Sequence, residues 1–147
     1  MTTGIKVVEP KSIEEIESYF QLRWEILRKP WDQPKGSERD ESDSNGFNRM
    51  VLNENDHPIG VGMLLINSVQ EAQIRFMAVS ENCQGMKVGT LLMDCLESIA
   101  CEHKCSHIIL QSRENAVKFY KNSGFEVVKK SYLLFGEIQH FLMQKNL

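Results

Sequence analysis

From residue 12 to residue 28, in SIEEIESYFQLRWEILR, apolar residues return at helical spacing. Ile16, Tyr19, Phe20, Trp24 and Leu27 fall on one face. Ser12 and Glu15 stand as S-x-x-E, a capping box that satisfies two free N–H groups at a helix start. A helix is predicted over 12–28, after a short strand in IKVVE (5–9). The stretch 29–46, KPWDQPKGSERDESDSNG, has two prolines, two glycines and several acidic residues, with little apolar content besides Trp31. It reads as a loop long enough to suggest function or mobility. Alternating patterns then predict three strands, FNRMVLN (47–53), PIGVGMLLIN (58–67) and EAQIRFMAVS (71–80). Short turns join them into an antiparallel meander. Gly60 and Gly62 mark a bulge or a close backbone approach in the second.

The period changes after residue 80. Val88, Leu91, Leu92, Cys95, Leu96 and Ile99 make the stripe of a helix that faces a sheet. SHIILQS (106–112) reads as a buried strand. ENAVKFYKNSGF reads as a short helix with Gly124 at its C′ position. FEVVKK and HFLMQK read as closing strands. The segment from 71 to 112 is a β-α-β unit, so its two strands should be parallel. The expected architecture is one domain over 1–147, a mixed sheet with helices packed against it. No internal repeat is present.

Composition narrows the partners. The net charge is −3 and no basic stripe occurs, which argues against nucleic acid as the main partner. No apolar run approaches the roughly 20 residues that span a bilayer. The start, MTTGIKVVEPKSIEE, lacks a basic-then-apolar signal, so a cytoplasmic location is expected, with no membrane partner. The cysteines are Cys83, Cys95, Cys101 and Cys105, without a C-x-x-C pair. Cys95 falls on an apolar face and reads as a small hydrophobe. CEHKCSH matches no common zinc spacing, so no metal is expected, and reduced thiols are expected in a cytoplasmic chain.

The candidate chemistry begins at QGMKVGT, residues 84–90. A glycine-bearing turn here leads into a helix, whose first N–H groups are unsatisfied and lie at the positive end of its dipole. An anion such as a phosphate gains from both. The turn is neither a G-x-x-x-x-G-K-[ST] loop nor G-x-G-x-x-G.

FMAVSENCQGMKVGTLLMDCLE resembles the acetyl-coenzyme A motif of the GNAT N-acetyltransferase superfamily, Q/R-x-x-G-x-G/A. ENAVKFYKNSGFEVV resembles that family's following helix, N-x-x-A-x-x-F/Y-Y-x-x-x-G-F. Lys87 stands where the pattern has its first glycine. The resemblance covers the whole chain, although residues 1–70 match by layout more than by motif. It implies an α+β GNAT fold with a mixed sheet of about six to seven strands. It also implies acetyl-coenzyme A (acetyl-CoA) as cosubstrate, no metal, and direct transfer to a primary amine of a small molecule or peptide in a ternary complex. A homodimer is left open.

On that resemblance the strand at 74–79 splays from the strand at 106–112, and the pantetheine arm bonds to backbone near Met77, Ala78 and Val79. The turn from Gln84 through Gly85, Met86, Lys87, Val88, Gly89 and Thr90 holds the pyrophosphate. Asn115 and Phe119 flank the arm. Backbone N–H near Met77 or Ala78 stabilises the carbonyl oxygen. Tyr120 is the candidate acid and His140 the candidate base, because Gln73 stands where some relatives carry a strand glutamate. Trp31, with the surrounding LRKPW, walls the acceptor pocket. Asp40, Glu41 and Asp43, with Glu38 nearby, form an acidic lure for a cationic amine. Two rivals are an acyl-CoA-binding sensor without catalysis and a nucleotide-phosphate binder. The missing Walker lysine opposes the second.

Overall fold

A computed structural model describes residues 4–147. Helix α1 (Ile13–Leu27) starts on the predicted capping box: Ser12 Oγ accepts the Glu15 N–H at 3.1 Å, and Glu15 Oε1 accepts the Ser12 N–H at 3.0 Å. The strands are β1 (Lys6–Val8), β2 (Phe47–Leu52), β3 (Pro58–Ile66), β4 (Glu71–Val79), β5 (His107–Arg113), β6 (Glu126–Leu134) and β7 (Ile138–Asn146). They form one seven-stranded sheet in the order β1-β2-β3-β4-β5-β7-β6. Helix α2 (Val88–Glu102) joins β4 to β5, and α3 (Val117–Asn122) precedes β6. Among the described residues only the β4–β5 pair is parallel, as the β-α-β reading requires.

Strand alternation divides the sheet into two packed faces. Val51, Leu64, Ile74, Ile108, Leu110 and Met143 meet α2 and α3 through Val88, Leu92, Leu96 and Tyr120. On the other face Met50, Leu52, Val61 and Ala78 meet Tyr19, Phe20, Leu22 and Leu27 of α1. Each fully buried side chain of this size contributes about 1.5–3 kcal/mol. Gly60 and Gly62 serve close approach: a Cβ on Gly60 would lie 2.9 Å from Val88 Cγ1, and one on Gly62 would lie 3.2 Å from Leu92 Cδ2. The glycines let α2 sit down on β3.

Two features of β4 open the sheet. Val61 pairs with Ala78 and Met63 with Arg75, so Phe76 and Met77 stand opposite Gly62 alone. This is a β-bulge, and Phe76 takes φ +54°, the left-handed region that disfavours a side chain. The parallel pairing with β5 also stops at Ile74–Leu110. The rest of β4 diverges from β5 and leaves a gap between them.

The segment 29–46 is more ordered than its composition suggests. It makes 3₁₀ turns at Lys29–Trp31 and Glu41–Asn45, the second closed by a capping box between Asp40 and Asp43. Buried Arg23 anchors it, donating to Asp43 Oδ1 at 2.9 Å and to the Glu38 carbonyl at 3.1 Å. Its other terminal nitrogen donates to the Tyr19 hydroxyl at 2.9 Å. Its guanidinium lies 4.1 Å from the centre of the Phe76 ring, tying the segment to the bulge. The closing strands run longer than FEVVKK and HFLMQK, because Phe135 and Gly136 both take positive φ and Glu137 N–H bonds to Leu134 O at 3.0 Å. That is the geometry of a type I′ hairpin turn.

Candidate active site

A cavity of about 880 Å³ occupies the gap between β4 and β5. Its lining divides by sheet face. The β4–α2 turn, the start of α2, and Asn115, Ala116, Phe119 and Tyr120 form one side. Arg28, Trp31, Arg113, Tyr132 and His140 form the other, beside the C-terminal end of α1.

The β4–α2 turn leaves its donors free. Gly85 takes φ +88° and Lys87 φ +63°. The predicted departure at Lys87 is therefore a lysine held in a conformation that glycine adopts at no steric cost. Lys87 is the N-cap of α2 and caps it with no side-chain bond. The first helical bond runs from Leu91 N–H to Lys87 O. Among the described residues, the N–H groups of Gly85, Lys87, Val88, Gly89 and Thr90 thus have no protein acceptor. Gln84 and Met86 differ, since their N–H groups go to Glu81 O and Cys83 O. Met86 is also exposed and outside the cavity lining, so the structure separates it from the group predicted with it. Gly89 packs under Phe119, where a Cβ would approach its ring to 3.1 Å.

Along the gap, Ser80 N–H bonds to Ile59 O on β3 at 2.9 Å. Backbone donors alternate sides along a strand, so Val79 and Met77 aim theirs into the gap and Ala78 aims its own at β3. Of the predicted backbone donors, Ala78 is the one turned away.

Tyr120 is 8% exposed, held edge-on between Phe119 and Phe125. Burial pushes its hydroxyl far above the ordinary phenol value, so it stays protonated. The hydroxyl makes no hydrogen bond to protein among the described residues. His140 is 4% exposed and stacks on Tyr132 with ring centroids 4.4 Å apart. Its Nδ1 lies 3.0 Å from Ile138 O. A carbonyl oxygen only accepts, so Nδ1 carries the proton and Nε2 keeps its lone pair. Burial lowers the pKa of the imidazole, and Arg113 and Arg28 lower it further. The ring is neutral near pH 7.

The acidic residues sit elsewhere. Asp40, Glu41 and Asp43 line a separate depression beside Tyr19 and Phe20. Asp43 pairs with Arg23, and Asp40 pairs with Arg75 at 3.3 Å. Hydrogen bonds from Ser42 hold the Asp40 carboxyl down at about 2. Glu38 is buried and accepts from Gly36 N–H. These carboxylates build the 29–46 segment, and the structure does not bring them to the cleft. Trp31 does line it, with the Arg113 guanidinium 4.5 Å from its ring centre. Arg75, Arg113 and Tyr132 also reach the cleft and escaped sequence reading. Arg113 had one available signal, a cation at the end of a strand whose centre, Ile108 to Leu110, is apolar.

His103, His107 and Cys105 of CEHKCSH are held separately. His103 Nδ1 is 2.9 Å from Ile99 O, His107 Nε2 is 3.0 Å from Glu71 Oε1, and Cys105 lies in the core. Among the described residues, no three His, Cys, Asp or Glu side chains are grouped to hold a metal. No described helix is long and apolar enough to cross a membrane.

Residues 16–125 match the model of the acetyltransferase (GNAT) family. The chain is 28% identical over 142 residues to the protein named uncharacterized N-acetyltransferase YjcF of Bacillus subtilis strain 168, covering 97% of this chain and 100% of that one. It superposes with TM-score 0.84 on a putative N-acetyltransferase from Lactobacillus plantarum, at 18% identity over 97% and 98% of the two chains. It superposes with TM-score 0.79 on an aminoglycoside 6'-N-acetyltransferase complexed with coenzyme A, at 13% identity over 97% and 96%. With a family match across most of its length and a seven-stranded sheet split between β4 and β5, the chain belongs to the GNAT family of acetyltransferases, an acyltransferase family.

Proposed function

We propose that this chain, acting as a single domain, transfers an acetyl group from acetyl-CoA to a primary amine by direct attack in a ternary complex. The observation that carries this reading is the interrupted β4–β5 pairing. The gap joins unpaired N–H groups at the start of α2 to a neutral imidazole on the opposite face. The donors at Gly85 and Lys87 through Thr90 fit a pyrophosphate, and those of Met77 and Val79 fit an amide-bearing arm lying as an added strand. When bound, acetyl-CoA supplies an activated acyl carbon, whose C–S bond breaks as the amine nitrogen bonds to it.

The residues then divide the work. His140 Nε2 takes a proton from the amine, which otherwise stays largely protonated near neutral pH. Backbone N–H of Met77 faces the gap where negative charge builds on the carbonyl oxygen. Tyr120, kept protonated by burial, donates toward the departing sulfur. Asn115 and Phe119 flank the arm. Trp31 walls the acceptor side. The four free cysteines fit a reducing compartment, and we place the enzyme in the cytoplasm.

Coenzyme A at about 100 times its dissociation constant should stabilise the fold by roughly 2.7 kcal/mol. A calorimetric or fluorescence melt checks this. An unchanged melt at millimolar coenzyme A would remove the cofactor site from the proposal.

A further inference from the structure

Three arginines meet on the α1 side of the cleft. Arg28 follows α1, Arg75 precedes the bulge in β4 and Arg113 ends β5, and all three line the cavity. Arg75 has Asp40 as its partner. Arg28 and Arg113 have no carboxylate partner among the described residues. Their hydrogen bonds go to backbone carbonyls. Arg28 donates through Nε to Ser37 O at 3.1 Å and through Nη1 to Leu27 O at 3.0 Å. Arg113 donates through Nη2 to the same Leu27 O at 3.0 Å.

Both cations are half-buried and share one oxygen, so they repel each other. Burial, and then Arg28, bring the Arg113 guanidinium down to about 10. Burial also lowers Arg28. Like charges gathered in a partly dry cleft are costly unless an anion joins them. The acidic segment leaves this charge uncompensated at Arg113: Asp43 and Asp40 are committed to Arg23 and Arg75, and the buried Glu38 carboxylate, whose charge favours Arg28, bonds to neither cation. Arg28 Nη2 and Arg113 Nε and Nη1 have no protein acceptor among the described residues. Arg113 also lies opposite His140 in the β5–β7 register, so the two share a strand-pair position and a sheet face. The turn that fits a pyrophosphate is on the other side of the cavity.

We propose that Arg28 and Arg113 receive a carboxylate of the acceptor, so that the amine acetylated here belongs to a small amino acid rather than to a polyamine or other purely cationic molecule. The proposal rests on the acetyltransferase reading and names its substrate class. A guanidinium fork holds a carboxylate through two parallel bonds, which fixes the molecule as well as attracting it. The amine of the same small molecule is then held near His140 Nε2.

The test compares free amino acids with their carboxamides and with polyamines, for the wild-type protein, Arg113→Gln and Arg113→Lys. Three quantities are read: thiol release from acetyl-CoA, coenzyme A affinity, and quenching of tryptophan fluorescence by N-acetylated amino acids and their amides. Arg113 stacks on Trp31, so carboxylate binding should change that signal, and Trp31→Phe identifies its source. The acids should be preferred over the amides by about tenfold or more, a charged hydrogen-bond pair's worth. Arg113→Gln should raise KM for the acids and pull that preference toward one, with coenzyme A affinity retained. Arg113→Lys, which keeps the charge without the fork, should fall between. Preference for amides or polyamines, or an acid preference untouched by Arg113→Gln, overturns the proposal. So does an Arg113→Gln protein that loses coenzyme A affinity instead, because the cation would then serve the cofactor. Failure of the wild-type protein to bind coenzyme A in the same samples overturns the acetyltransferase reading itself.

Discussion

His140 shows how one side chain is prepared for a task by its surroundings. The Ile138 carbonyl fixes the proton on Nδ1, and burial with two nearby arginines keeps the ring neutral. Its folded-state pKa therefore lies below the ordinary value of about 6.5. The unfolded chain binds this proton more readily, so the stability associated with His140 is full above about pH 6.5 and is lost as pH falls toward the folded value. His140→Gln should flatten that part of the stability curve, measured by denaturant unfolding at several pH values. An NMR midpoint for His140 above 6.5 would contradict the account. Tyr120 is prepared differently, by an apolar surround that keeps its proton in place. Lys87 was legible as a departure from the family pattern, but its φ of +63° was not. A sequence records which residue is present, and only the folded turn shows the backbone conformation it must adopt.

At the scale of elements, the helices and strands announced themselves where one face is apolar. The capping box of α1, the stripe of α2 and the meander β2–β3–β4 all follow from local periodicity. The 29–46 segment did not, because its order comes from distant partners: Arg23 in α1 for Asp43, Arg75 in β4 for Asp40. Its acidic composition resembled a solvated lure, whereas the carboxylates cap turns and neutralise arginines. Such pairings at long sequence separation leave no periodic trace. The start of α2 combines two demands on one residue. Gly89 must let Phe119 pack and must keep the helix N–H groups open to a ligand. Gly89→Val should weaken coenzyme A binding more than about tenfold by crowding that surface. The melting temperature without ligand should move only a few degrees, since Phe119 borders a cavity and can yield. Calorimetric titration alongside a melt separates the two effects. Full affinity in a folded Gly89→Val protein would remove the pyrophosphate from this turn.

Across the whole molecule, the sheet makes the site by failing to close. Antiparallel pairs flank a single parallel pair, and that pair separates after four registered residue pairs, the last being Ile74–Leu110. The order of motifs made this division readable: a meander, a β-α-β unit and a final hairpin imply one central parallel junction. The bulge at Phe76 and the approach of Arg75 and Arg113 to the α1 side of the cleft were not readable, since both depend on which residues the closed sheet brings together. The cleft thus passes from a side rich in backbone donors to a side holding a neutral imidazole and two guanidinium groups with no carboxylate bonded to them among the described residues. The most direct measurement of the central claim is thiol release from acetyl-CoA by the purified protein, with and without primary amines, together with mass detection of the N-acetylated product. The account predicts release that depends on an amine and yields one acetylated amine per thiol. Coenzyme A binding with no amine-dependent release across amino acids, small amines and peptides would contradict it, and would leave a binding protein in place of an enzyme.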